Sequence, residues 1–132
     1  MAPEGLIVRT SRHDPRETMA RLIAAVTGRG MTVMARIDHA AAAEAAGMAL
    51  RPTELLIFGS PRAGTPLMQV SQTLGIDLPL RALVWRDEDG ATRLAITDPA
   101  ALAGRHGAQA GNELRLAAMT ETLAGVAAEA AG

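Results

Sequence analysis

Asp38 and His39 are adjacent in the sequence and are the residues that most directly suggest acid–base chemistry. A carboxylate beside an imidazole could act as the general base of a small hydrolase-like enzyme. Asp is also among the preferred N-cap residues of helices, and an imidazole in the first helical turn is disfavoured in its charged form. We favour the capping role for Asp38 and keep both residues as candidates for a ligand site.

The segment from Gly59 to Gly64 has the glycine spacing of a phosphate-binding loop and follows the apolar run at residues 55–58. A nucleotide-binding loop needs Lys and then Ser or Thr after its second glycine, but Thr65 and Pro66 stand there. We therefore do not expect nucleotide hydrolysis. Thr65 followed by Pro66 instead predicts a helix N-cap and first helical residue, which leaves residues 59–64 as a loop. This loop is our candidate for a ligand site.

We expect the ligand to be a small polar or anionic metabolite. The predicted site takes five residues from the loop and its end and four polar residues from elsewhere: Gly59, Ser60, Pro61, Gly64, Thr65, Asp38, His39, Arg51 and Asp77. Arg51 is included because Pro52 restricts its backbone just before a strand. Asp38 and Asp77 could form an acid–base pair across the pocket, whereas the alternative role for Asp77 is to bond nearby backbone in a turn.

Neither a metal nor a cofactor is expected. The three histidines, His13, His39 and His106, do not share the spacing of a local chelate, and the chain has no Cys. The lack of Cys also excludes disulfides and thiolate catalysis.

Length and composition predict one domain over residues 1–132. The formal net charge is -1 and all basic side chains are Arg without a basic stripe, so we expect neither nucleic acid nor a membrane surface as partner. The sequence has no leader-like start and no run that approaches a membrane span, and we expect a cytoplasmic protein.

Apolar periodicity and capping residues predict an α+β fold. The expected order is strand 6–8, a helix capped by Asp14, strand 32–37, an Ala-rich helix at 39–47, strand 55–58, a helix from Thr65 to about residue 73, strands 80–85 and 92–97, a short helix after Asp98, and a long helix capped by Asn112. Both long helices have one apolar face, so we place them on one side of a five-stranded, mainly antiparallel sheet. The other side would remain uncovered, which predicts a homodimer.

Several short motifs occur in the order found in one bacterial family. They are Ile37-Asp38-His39-Ala40, the stretch 50–59 continued by Gly64-Thr65-Pro66-Leu67-Met68, Ile76-Asp77-Leu78-Pro79-Leu80, Asp98-Pro99 and Arg105-His106. In these motifs the whole chain resembles the domain of unknown function 302. The resemblance implies a TATA-binding-protein-like α+β architecture and a homodimer, with no established activity. The family usually has Asn where this chain has Ser60 and Thr97.

Three functions remain open from the sequence. The first is a non-enzymatic domain that binds or senses a small molecule through residues 59–65. The second is a hydrolase-like enzyme that uses Asp38 and His39 as acid and base. The third is a structural or partner-binding homodimer without a ligand.

Overall fold

The computed structural model describes residues 3–132 and contains one five-stranded sheet. Its strands are β1 (Leu6–Ser11), β2 (Thr32–Asp38), β3 (Thr53–Gly59), β4 (Leu80–Arg86) and β5 (Thr92–Thr97). They lie in the order β1-β5-β4-β3-β2, and every neighbouring pair is antiparallel. The predicted fold class is confirmed.

Five α-helices and one 3-10 helix connect the strands. The α-helices are α1 (Pro15–Gly28), α2 (His39–Ala45), α3 (Pro61–Val70), α4 (Pro99–Arg105) and α5 (Glu113–Ala131), and the 3-10 helix is Gln72–Ile76. As predicted, the long helices α1 and α5 cover one face of the sheet. Their apolar stripes, including Leu22 and Leu123, are fully buried against Leu56, Phe58 and Leu94.

Three of the predicted N-caps are confirmed by hydrogen bonds to the first helical turn. The Asp14 carboxylate accepts from Glu17 N at 2.8 Å, that of Asp38 from Ala41 N at 2.9 Å, and that of Asp98 from Ala100 N at 3.0 Å. Asn112 stands at the cap position of α5, but its amide donates to Ala108 O at 2.9 Å.

The prediction for the start of α3 is wrong by five residues, because the N-cap is Ser60 rather than Thr65. The helix begins at Pro61, and the carbonyl of Ser60 accepts hydrogen bonds from Ala63 N and Gly64 N, each at 3.0 Å. Pro61 fits the first helical position as well as Pro66 would, since both have a fixed φ and lack an N–H. Pro66 lies inside the helix, which ends at Val70 rather than near residue 73.

Residues 59–65 are therefore a strand end and a helical first turn rather than a loop. Gly59 ends β3, and Gly64 is helical. Both glycines have φ outside the positive region, which in residues 3–132 is occupied by other glycines such as Gly30 and Gly90. Gly59 and Gly64 are thus not required by backbone geometry.

A second, smaller core joins the shorter helices at one end of the sheet. Leu67 of α3, Leu74 of the 3-10 helix, Ala103 of α4 and Leu116 of α5 are buried together. This core fixes the 3-10 helix against the end of α4.

The other face of the sheet, called here the outer face, carries no helix among the residues described. Side chains of β1, β3, β4 and β5 line a hollow of about 440 Å³ on it: Leu6, Val8, Leu55, Arg81, Leu83, Trp85, Arg93, Ala95 and Thr97, together with Pro3. Within residues 3–132, no helix combines the length and apolar character needed to cross a bilayer.

Candidate functional site

The structure places seven of the nine predicted site residues in two separate cavities and the other two outside both. Gly59, Ser60, Pro61, Gly64 and Thr65 line one pocket, Asp38 and Arg51 line a groove beside α2, and Asp77 belongs to neither. His39 is exposed and lines neither cavity.

The expected acid–base pair of Asp38 and Asp77 does not form. Asp38 is paired with Glu54 at the start of β3, whereas Asp77 lies just before Leu80, which is paired with Phe58 at the other end of β3. The two carboxylates thus lie at opposite ends of the same strand.

The pocket at the junction of β3 and α3 has a volume of about 220 Å³, and its wall is mainly apolar. We call it the methionine pocket, because β2, α3 and α5 each contribute one methionine to it. Its lining consists of Met34, Gly59, Ser60, Pro61, Ala63, Gly64, Thr65, Met68, Leu78, Pro79, Leu80 and Met119. The polar side chains in this lining are those of Ser60 and Thr65.

Two local features shape the methionine pocket. The pairing of β2 with β3 shifts register between Val33 and Ala35, so Met34 is the extra residue of a bulge, and bulges redirect a side chain. Gly64 leaves room, because a Cβ there would lie 3.5 Å from Leu78 Cδ1. The glycine that the sequence analysis assigned to a loop thus keeps the pocket open.

The groove beside α2 has a larger volume, about 910 Å³, and its lining includes six charged residues, of which Arg36, Asp38, Arg51 and Glu54 make hydrogen bonds within the chain. Arg36 donates from Nε and an Nη to the two carboxylate oxygens of Glu54 at 3.0 and 3.2 Å, and this hydrogen bond raises the pKa of Arg36. Arg51 donates to the carbonyl of Arg86 at 3.2 Å, and Asp38 caps α2. These side chains stabilise the protein's own strands and turns.

Asp77 bonds the side chains of Arg105, the last residue of α4, and of His106, which follows it, rather than the nearby backbone that its expected turn role implied. His106 Nε2 lies 2.5 Å from Asp77 Oδ2, and Arg105 donates to Oδ1 and Oδ2 at 3.0 and 3.1 Å. The hydrogen bond from His106, followed by the charge of Arg105, holds the pKa of Asp77 below its usual value. On the other side of the imidazole, Thr73 Oγ1 lies 2.8 Å from His106 Nδ1.

No pattern in the sequence groups Thr73, Asp77 and His106, which we call the Thr–His–Asp cluster. No role was predicted for His106 from the sequence, but its side chain is only 9% exposed and lies against Asp77. Asp77 and His106 are 29 residues apart, so no short spacing pattern links them. Their proximity follows from the packing of Leu74 against Ala103 in the smaller core.

In residues 3–132, no three carboxylate or imidazole side chains are grouped so that they could hold a metal ion. The expectation that the protein needs no metal or cofactor stays a prediction.

The α+β architecture, with two long helices on one face of an antiparallel sheet, is shared with a solved structure. The crystal structure of an uncharacterized conserved protein DUF302 from Bacillus stearothermophilus matches with a TM-score of 0.86 at 19% identity, covering 97% of this chain and 99% of that one. The model of the domain of unknown function DUF302 also matches residues 7–130, and the chain belongs to this family.

Curated relatives carry names that refer to ion transport. The chain is 45% identical over 128 residues to the fluoride-specific ion channel FluC 1 of Brucella suis biovar 1 (strain 1330), a match that covers 97% of this chain and 50% of that protein. Fluoride-specific ion channel FluC 2 of Brucella melitensis biotype 1 is also 45% identical, with 47% of its length covered. The chain thus spans about half the length of the curated relatives it matches.

Proposed function

We propose that the protein is a binding or sensing domain that takes a small, mainly apolar molecule into the methionine pocket. The observation that carries this proposal is the pocket's lining, in which methionines from three separate elements surround an opening with few polar groups. Ligand pockets are typically apolar with a few polar groups that orient the ligand, and Ser60 and Thr65 would have that role. Methionine side chains adapt to ligands of different shape.

The size of the methionine pocket limits the ligand. Its volume of about 220 Å³ is below the roughly 300–1,000 Å³ of sites for drug-sized molecules, so the ligand would be small. The lining offers no charged side chain, so an apolar or weakly polar molecule fits better than the anionic metabolite expected from the sequence.

Thermal unfolding with added compounds tests this proposal. The panel would hold small aromatic alcohols, short-chain carboxylic acids, inorganic anions and sodium fluoride. A compound that binds the pocket at a hundred times its dissociation constant adds about 2.7 kcal/mol to the stability of the wild type. The compound should no longer stabilise the Ala63→Met variant, in which the new side chain fills the pocket. It should still stabilise the Arg51→Ala variant, in which only the groove is changed.

The matched control is Ala43→Met, at a half-buried helical Ala in α2 that lines neither cavity. A compound that stabilises Ala63→Met and Ala43→Met equally would show that binding occurs elsewhere. If no compound in the panel stabilises the wild type, the proposal for small apolar ligands fails.

The geometry does not favour the alternative in which Asp38 and His39 act as acid and base. The Asp38 carboxylate is engaged by Ala41 N, and His39 is exposed outside both cavities. Placement in the cytoplasm and assembly as a homodimer remain part of the proposal.

A second proposal concerns the partner. Because the chain matches half of proteins named fluoride-specific ion channels, we propose that this domain adjusts the activity of such a channel, within one chain or as a separate protein. Fluoride efflux from liposomes that hold the full-length Brucella suis relative should change when its half matching this chain is removed, and should respond to any compound found above. Unchanged efflux in both assays would contradict this role.

A further inference from the structure

A series of hydrogen bonds links the hydroxyl of Thr73, the imidazole of His106 and the carboxylate of Asp77. Thr73 Oγ1 lies 2.8 Å from His106 Nδ1, and His106 Nε2 lies 2.5 Å from Asp77 Oδ2. A hydroxyl becomes a nucleophile when a base within this distance can take its proton and a third group orients the base. We propose that the cluster is a hydrolytic site for small esters, in which Thr73 accepts the acyl group.

Buried residues that neighbour the cluster in the sequence fix the positions of its three side chains. Leu74 and Ala103 are both 0% exposed, and they anchor the residues next to Thr73 and the helix that leads to His106. Arg105 holds both carboxylate oxygens of Asp77, and Arg81 adds a further positive charge nearby. Asp77 therefore stays ionised and fixes the orientation of the imidazole.

Substrate can approach Thr73 from solvent. Thr73 is exposed, and Ile76, whose residue is 72% exposed, follows it by three positions in the 3-10 helix. Residues three apart in a 3-10 helix lie on the same face, so Ile76 and Thr73 share one face of this helix. An exposed apolar group in this position could contact a short acyl chain, and the open surface suits a small, activated ester.

The reaction has two steps. Thr73 Oγ attacks the ester carbonyl carbon while its proton passes to His106 Nδ1, and the carbon–oxygen bond to the leaving group breaks as the alcohol takes that proton. A water molecule, giving its proton to Nδ1, then attacks the acyl-threonine. The carboxylic acid leaves, and the Thr73 hydroxyl regains the proton.

Hydrolysis of p-nitrophenyl acetate by the whole protein tests the proposal. Thr73→Val, which keeps the shape of the side chain but removes the hydroxyl, should lower kcat about 10²-fold or more, the scale of positioned acid–base catalysis. Thr73→Ser should retain the activity, and mass spectrometry should find the acetyl group on Thr73. Asp77→Asn should lower kcat with KM unchanged, as expected of a positioning residue.

Thr27→Val is the matched control, because Thr27 is exposed like Thr73 but lies on α1, where its hydroxyl donates to Ile23 O at 2.8 Å. It should leave the rate unchanged, and thermal unfolding should show that each variant is folded. Equal rates for the wild type and Thr73→Val, or an acetyl group on another residue, would overturn the proposal. Because the cluster does not line the methionine pocket, that result would leave the binding proposal intact.

Discussion

At the scale of single residues, the space in the methionine pocket, and not the backbone conformation, explains why residue 64 is a glycine. It lies inside α3 without a positive φ, and a Cβ there would be in ordinary contact with Leu78 at 3.5 Å. Ala is favoured over Gly in a helix by roughly 0.5–1 kcal/mol. We expect Gly64→Ala to increase the free energy of unfolding by up to about 1 kcal/mol in urea denaturation, and to weaken ligand binding by narrowing the methionine pocket.

Gly90 provides the contrast for this prediction. Its φ is +82°, and a Cβ there would meet nothing within 4 Å, so only the backbone conformation opposes a side chain. Gly90→Ala should therefore reduce the free energy of unfolding by about 1–2 kcal/mol. A loss of the same size in Gly64→Ala would contradict the role we give to Gly64.

At the scale of elements, Asp77 connects the 3-10 helix to the end of α4 through Arg105 and His106. Its pKa is lowered in the folded protein, so the carboxylate stabilises the fold above its ordinary pKa of about 3.9. That contribution is lost as the pH falls through the lowered folded-state pKa. We expect Asp77→Asn to cost about 1 kcal/mol at neutral pH, because the groups are partly exposed.

Urea denaturation between pH 7 and pH 3 checks this prediction. The difference in the free energy of unfolding between the wild type and Asp77→Asn should become smaller as the pH falls below about 4. Asp89→Asn, at an exposed turn residue, should change stability little at any pH. A difference for Asp77→Asn that does not depend on pH would show that its charge is not what connects the two elements.

Most of the elements could be predicted because their causes are local. Alternating apolar residues define the strands, and Asp14, Asp38 and Asp98 cap helices through atoms only two or three residues away. The start of α3 could not be predicted in this way, since Pro61 and Pro66 fit the same rule. The choice between them depends on tertiary contacts such as the burial of Leu67.

Only the part of the candidate site that is formed by residues close together in the sequence could be predicted. Gly59, Ser60 and Thr65 line one pocket because they are neighbours in sequence, but Met34 and Met119 reach it from a bulged strand and from the last helix. The Thr–His–Asp cluster depends wholly on the docking of α4. No spacing rule links residues that the fold brings together across 29 positions.

At the scale of the whole molecule, the outer face of the sheet has no covering layer in the described chain. Leu83 lies near its centre, paired with Leu55 on β3 and Ala95 on β5. An apolar sheet face of this kind is covered in stable proteins by a further layer or by another subunit. A second copy of the same chain would provide such a layer through a two-fold axis.

We therefore predict a homodimer that buries the outer face, with Leu83 in the contact. In a two-fold interface each substitution occurs twice, so Leu83→Arg adds two buried charges beside Arg81 and Arg93. Sedimentation at micromolar concentration should show a dimer for the wild type and a monomer for Leu83→Arg. Leu114→Arg is the control, because Leu114 lies on α5 and is 89% exposed, and it should remain dimeric. A monomeric wild type, or a Leu83→Arg protein that still forms dimers, would show that the outer face is not the interface.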